Sequence, residues 1–160
     1  MIKEYTKKDI SKILYVINDA SLRYKGIIPD NCWHEPYMSE QELVNEFNVE
    51  LRMYGYHRNN KLIGVIGIQE VKDVILIRHA YTLTSYQGKG MGSELLKYLL
   101  KKNQISRLLV GTWRDATWAI RFYEKFGFIL HAKDQSTLLL KKYWKISLNQ
   151  IKNSVVLERF

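Results

Sequence analysis

Residues 87–93 read Gln87-Gly88-Lys89-Gly90-Met91-Gly92-Ser93, and the fold turns on how this stretch is read. Before it lies "VILIRHAYTL" (residues 74–83), apolar and rich in β-branched residues; after it comes the amphipathic "GMGSELLKYLLKKN" (residues 90–103). The stretch therefore joins a strand to a helix. Three alternate glycines ahead of a helix permit positive φ and close backbone approach. The first N–H groups of the helix stay free at the positive end of its dipole, which makes an anion site. Two common nucleotide fingerprints fail here. Gly90 follows Lys89 where a phosphate-binding G-x-x-x-x-G-K-[ST] loop needs Ser or Thr, and Gly88, Gly90 and Gly92 give G-x-G-x-G in place of G-x-G-x-x-G. The acidic residue of the dinucleotide fold, about 20 positions on, is also missing, with Val110 in that region.

Upstream of this loop, "MIKEY" reads as a strand. Ile10, Ile13, Leu14, Ile17 and Leu22 follow helical spacing, with Asp9 as the expected N-cap and Gly26 as the stop. Residues 27–38, with Pro29 and Pro36, read as a loop, and Ser39 begins a second helix through a capping box with Glu42. "MYGYHRNNKLIGVIGIQEV" is a hairpin about Asn59-Asn60. Downstream come a strand at "RLLVGTW", a helix at "TWAIRFYEKF", a strand at "FILHA", a helix at "DQSTLLLKKYW" and a closing strand at "SVVLERF". The order predicts one α/β (α+β mixed) domain over residues 1–160, a central mixed twisted sheet of about six to seven strands flanked by helices.

Composition narrows the function classes. The chain has 160 residues, 46% apolar and 26% charged, as in an ordinary globular domain. No apolar run reaches the ~20 residues of a membrane span. The charged start "MIKEYTKKDI" is unlike a signal peptide, and the single cysteine forms no internal disulfide, so the expected location is the cytoplasm. Residues 1–80 are balanced in charge, so the whole excess of +9 lies in residues 81–160. That asymmetry fits nucleic acid or a phosphorylated cofactor. Aromatics are not interleaved with Lys and Arg along a strand as on a nucleic-acid stacking platform, which makes nucleic acid the weaker reading.

With these elements in place, Gln87, Gly90 and Gly92 resemble the acetyl-CoA loop [R/Q]-x-x-G-x-[G/A] of the GCN5-related N-acetyltransferase (GNAT) superfamily. "AIRFYEKFGF" (residues 119–128) is similar to that family's later helix, A-I-x-F-Y-x-x-x-G-F. The resemblance implies an acetyl-CoA-dependent N-acetyltransferase. Its co-substrate diphosphate would lie on the amides of Gly88, Lys89, Gly90, Met91, Gly92 and Ser93, and its pantetheine would pair with the backbone of Tyr81, Thr82 and Leu83. Ala116 stands where the family commonly has an asparagine that contacts the pantetheine. Tyr123 matches the family's general acid, which protonates the departing CoA thiolate. The family has no fixed general base; His79 and Glu70 are the local candidates. By strand alternation, His79 and Tyr81 share one face and Arg78 lies on the other. No metal is required.

The acceptor side is less legible. "CWHEPYM" (residues 32–38) is not a zinc helix, because Met38 replaces the second histidine of H-E-x-x-H and Pro36 forbids the helical interior. In the family this loop commonly borders the acceptor cleft. Trp33, His34, Glu35 and Tyr37 are therefore candidate amine contacts, or else an ordered loop plugging the core. Arg78 is a candidate to recognise an acidic group of the acceptor, or else only pairs with a carboxylate; Trp113 lines the acceptor cleft or belongs to the core. The acceptor is the amine of a small molecule, or of a peptide or protein; a homodimer would be common for the family. A non-catalytic acyl-CoA-binding regulator is the alternative function.

Overall fold

The computed structural model describes residues 1–103 and 107–160. Seven strands form one sheet: β1 (Ile2–Tyr5), β2 (Arg52–Arg58), β3 (Lys61–Val71), β4 (Val74–Thr82), β5 (Leu108–Trp113), β6 (Ile129–Leu130) and β7 (Ser154–Arg159), in the order β1-β2-β3-β4-β5-β7-β6. All neighbours are antiparallel except β4 and β5. The expected mixed sheet flanked by helices is what the chain forms.

Among the described residues six α-helices cover the sheet: α1 (Ile10–Ala20), α2 (Glu40–Phe47), α3 (Met91–Lys102), α4 (Thr117–Glu124), α5 (Lys133–Tyr143) and α6 (Leu148–Lys152). Alternation along the strands sorts the core onto two faces. Tyr54, Ile66, Ile68, Ile77 and Val110 pack with Leu95, Leu96 and Leu99 of α3 and Tyr123 of α4. On the opposite face, Ile63 and Val65 meet Ile13, Val16 and Ile17 of α1, while Leu76, Leu109 and Val156 meet Leu139 and Leu140 of α5.

Several local expectations are corrected. Asp9 makes no side-chain cap to α1; it reaches back to the Thr6 N–H at 3.0 Å, where Thr6 caps a single 3₁₀ turn that leads into the helix. Ser39 does cap α2, accepting from the Glu42 N–H at 3.1 Å. The strand expected at residues 128–132 is two residues long, because Phe128 turns into the core and His131 turns to Glu158. Helix α6 was not foreseen, being only one turn and a half long, though Ser147 accepts from the Gln150 N–H as an ordinary N-cap.

β4 and β5 pair only over residues 75–77 against 108–110. Beyond that point β5 follows β7, and the two central strands part. A bulge where Val65 and Gly67 oppose residues 78–81 puts His79 in the left-handed region, φ +53°. Alternation therefore breaks there, and Arg78 does not lie opposite His79: both side chains reach the same carboxylate, Glu46.

At the other end of the central strands, Glu158 on β7 is 2% exposed and accepts from Arg107 Nε at 2.5 Å and bonds His131 Nε2 at 2.7 Å. Burial alone would raise its carboxyl, but those hydrogen bonds and the two neighbouring charges outweigh it and hold the group below the ordinary carboxylate range. A depressed carboxyl stabilises the fold above its unfolded pKa, about 4.5, and that contribution is lost as pH falls through the folded value. Glu158→Gln is expected to cost about 3 kcal/mol at pH 7. The gap from the parent should shrink in urea melts taken below pH 4.5; a gap independent of pH would remove the ionic account.

Candidate active site

The loop of residues 87–93 takes the geometry its glycines allow. Gly88 and Gly90 have φ +76° and +90°, and no heavy atom lies within 4 Å of where a Cβ would stand on either. Gly90 is the N-cap of α3 without a capping side chain, and the first N–H turned back into the helix is that of Glu94, to the Gly90 carbonyl at 3.0 Å. The amides of Met91, Gly92 and Ser93 are thus left for an anion. Gln87 Nε2 donates to the Thr82 carbonyl at 3.1 Å, tying loop to strand, and Lys89 lies 5.6 Å from the Tyr86 ring centroid.

A cavity of about 590 Å³ opens from this loop along β4 to α4. It gathers Tyr81, Thr82, Gln87, Gly88, Gly90, Met91, Gly92, Ser93 and Tyr123 from the expected set. Leu83 does not face it: its side chain is buried under α1, its N–H donates to Ile63 and its carbonyl accepts from Tyr86. Because Leu83 N–H points to β3, alternation aims the backbone groups of Tyr81 at β3 as well, and those of Ala80 and Thr82 into the gap left by β5. Ala116 is fully buried beside Trp113 and Ile28, outside the cavity. Sequence reasoning missed Tyr24, Trp118, Arg23, Arg121 and Lys125, which complete the wall. Tyr24 stacks on Trp118 with centroids 6.0 Å apart, and the Arg23 guanidinium lies 4.2 Å from the Trp118 ring. Arg121 on α4 and Lys125 at its C-cap stand one turn apart, a signal visible in the sequence once α4 is oriented by Phe122 and Tyr123.

Tyr123 is 5% exposed, edge-on to Phe122 and Phe128, and its hydroxyl has no side-chain partner among the described residues. Burial, and to a lesser degree the nearby Tyr24, push its phenol well above the ordinary 10. It is a neutral donor at any physiological pH.

A second cavity, about 840 Å³, lies on the α1, α2 and α5 face. Tyr24 and Tyr81 line both cavities, so their side chains stand between the two. Of the expected acceptor residues, His34, Tyr37, Arg78 and Trp113 line this second space, with His79 and the exposed Glu70. Trp33 and Glu35 do not: Trp33 packs against Tyr37 with centroids 5.8 Å apart, and Glu35 pairs at the surface with Lys25 at 3.3 Å. Tyr37 accepts from Trp113 Nε1 at 2.8 Å, and its hydroxyl and that of Tyr24 adjoin Tyr81, whose phenol burial raises well above its ordinary value. Glu46, Gln69 and Trp144 join the lining without a sequence signal, since helix and strand faces decide it. Among the described residues no three His, Cys, Asp or Glu side chains cluster to hold a metal, and no helix is long and apolar enough to cross a membrane.

Comparison with known proteins places the architecture. Residues 3–137 match the model of the acetyltransferase (GNAT) domain family. No curated protein sequence matches. Among solved structures, a PaiA N-acetyltransferase from Thermoplasma acidophilum in complex with coenzyme A aligns with TM-score 0.71 at 20% identity, over 99% of this chain and 97% of that one. The ribosomal-protein-S18-alanine N-acetyltransferase of Escherichia coli gives TM-score 0.72 at 16% identity, over 99% and 91%. A GNAT-family acetyltransferase of Staphylococcus aureus Mu50 gives 0.73 at 16%, over 99% and 97%. At these identities the likeness is one of fold.

Proposed function

The chain belongs to the GNAT acetyltransferase family, and we propose that it moves an acetyl group from acetyl-CoA directly to a primary amine within a ternary complex. One observation carries the reading: two cavities share Tyr24 and Tyr81 in their walls, one ending at an anion loop and Tyr123, the other lined by polar and aromatic side chains.

The donor's diphosphate lies on the free amides of α3, with Arg121 and Lys125 near its phosphates. Its pantetheine adds to β4 as a further strand through Ala80 and Thr82. The amine, of a small molecule or of a polypeptide, enters from the second cavity. Its nitrogen lone pair forms the C–N bond to the thioester carbon, and a main-chain N–H of β4 stabilises the oxyanion. As the C–S bond breaks, the electron pair leaves on sulfur, which takes the Tyr123 proton; water reprotonates the phenolate and carries away the second proton of the nitrogen.

Acetyl-CoA at about 100 times its Kd is expected to raise the melting temperature by roughly 5–10 °C. A panel of diamines, amino-acid amides and short peptides should then release CoA thiol. No thermal shift would overturn donor binding, and a shift without thiol release would leave an acyl-CoA-binding regulator.

A further inference from the structure

A buried polar chain on the acceptor side has no part in donor binding or in the Tyr123 step. Gln69 Nε2 donates to the Val49 carbonyl at 3.0 Å, and its Oε1 accepts from Arg78 Nη1 at 3.0 Å. Arg78 Nη2 meets Glu46 Oε1 at 2.7 Å, and the same oxygen lies 2.8 Å from His79 Nε2. The side chains of Arg78, Glu46 and His79 are 21%, 17% and 14% exposed, so the chain is largely withdrawn from water yet lines the acceptor cavity.

Three features give this arrangement a direction. The bulge turns His79 onto the face of Arg78 at the expense of a left-handed backbone, which an ordinary strand residue avoids. Arg78 and Gln69 fix Glu46, so the carboxylate offers His79 one held oxygen. An ionised Glu46 keeps the proton on Nε2 and leaves the Nδ1 lone pair free; no hydrogen bond engages Nδ1 among the described residues, and His79 lines the cavity. His79 is two residues before Tyr81, about 6–7 Å along the strand, within reach of an amine at the junction directly or through one water.

We propose that His79 takes the proton from the acceptor ammonium and that Glu46 is the residue that positions it. The proposal rests on the acetyl-transfer reading above. The ammonium N–H bond breaks, its proton bonds His79 Nδ1, and the freed lone pair is the one that attacks the thioester. Imidazolium formed in this way is stabilised by the Glu46 carboxylate and returns its proton to water. Neither Glu70 nor Glu42, the other carboxylates lining the cavity, bonds His79, and Lys145 and His34 line it from the far loops.

His79→Gln is expected to lower thiol release at pH 7 about 30-fold and to abolish the acid limb of the kcat/KM profile, with the thermal shift by acetyl-CoA kept. Free imidazole should restore part of the rate to His79→Ala. Glu46→Gln should cost about 5-fold in kcat with the acetyl-CoA shift kept, and should cost little further in the His79→Gln background, where no ring is left to position. Acetyl-CoA hydrolysis, with water as acceptor, gives the same comparison without a known amine. Unchanged turnover in His79→Gln, or a loss from Glu46→Gln that persists undiminished in the His79→Gln background, overturns the dyad. Loss of the acetyl-CoA shift in the parent overturns the donor reading instead.

Discussion

Tyr123→Phe is expected to lower acetyl-transfer turnover about 100-fold and to leave acetyl-CoA affinity within about 2-fold. Phenylalanine keeps the ring contacts with Phe122 and Phe128, and the lost hydroxyl leaves no partner stranded among the described side chains. The variant should therefore fold as the parent does, separating chemistry from packing. Energetics test the role more sharply. A free phenol near 10 is already a weaker acid than a thiol near 8.5, and burial raises the phenol further. Transfer to a solvated thiolate would be uphill. On the proposed mechanism the sulfur departs beside the buried Tyr123, where desolvation would raise its pKa as well, so the two would shift together. A thiolate leaving into that pocket without a donor has no such compensation. Turnover of Tyr123→Phe equal to the parent in a thiol-release assay would mean that water protonates the sulfur, and would remove the residue from the mechanism.

Much of the fold was legible because its signals are local. Period-2 and period-3.6 patterns mark the long strands and helices, Asn59-Asn60 marks a hairpin and Ser39 a cap. The anion loop was legible for the same reason: three glycines and a helix start need no tertiary information. The acceptor cavity was not. Glu46 sits on a helix whose sequence shows several carboxylates, and only the docking of α2 on β4 selects it. The bulge at His79 was invisible too, since neither neighbour is glycine, and with it went the prediction that Arg78 and His79 point apart. Leu83 and Ala116 were placed by motif position, yet strand register and the burial of α4's first turn decide which groups face the donor. Residues 32–38 show the same divide. Their aromatic character was plain, but only tertiary packing sends Tyr37 to Trp113 and leaves Glu35 with Lys25 at the surface.

Gly90→Glu should weaken acetyl-CoA binding at least ~100-fold while the protein remains folded, an effect of electrostatics more than of strain. At φ +90° any side chain costs roughly 1–2 kcal/mol. A carboxylate at the first turn of α3 recovers about 0.3–1 kcal/mol of that from the helix dipole. The net loss of stability is then about 1 kcal/mol, a few degrees in melting temperature. For the donor both terms turn unfavourable. The carboxylate competes for the amides of Met91, Gly92 and Ser93 and repels the diphosphate: unit charges 4 Å apart at an effective dielectric of 20 differ by about 4 kcal/mol before screening. Gly90→Ala separates the two terms. Its Cβ meets nothing within 4 Å beyond its chain neighbours, so it carries the φ cost without the charge and should weaken binding by about 10-fold or less. Calorimetric titration with acetyl-CoA at two salt concentrations distinguishes them, because only the Glu variant's deficit shrinks as screening rises. Near-parental affinity in Gly90→Glu would place the diphosphate elsewhere and detach the glycine loop from the donor site.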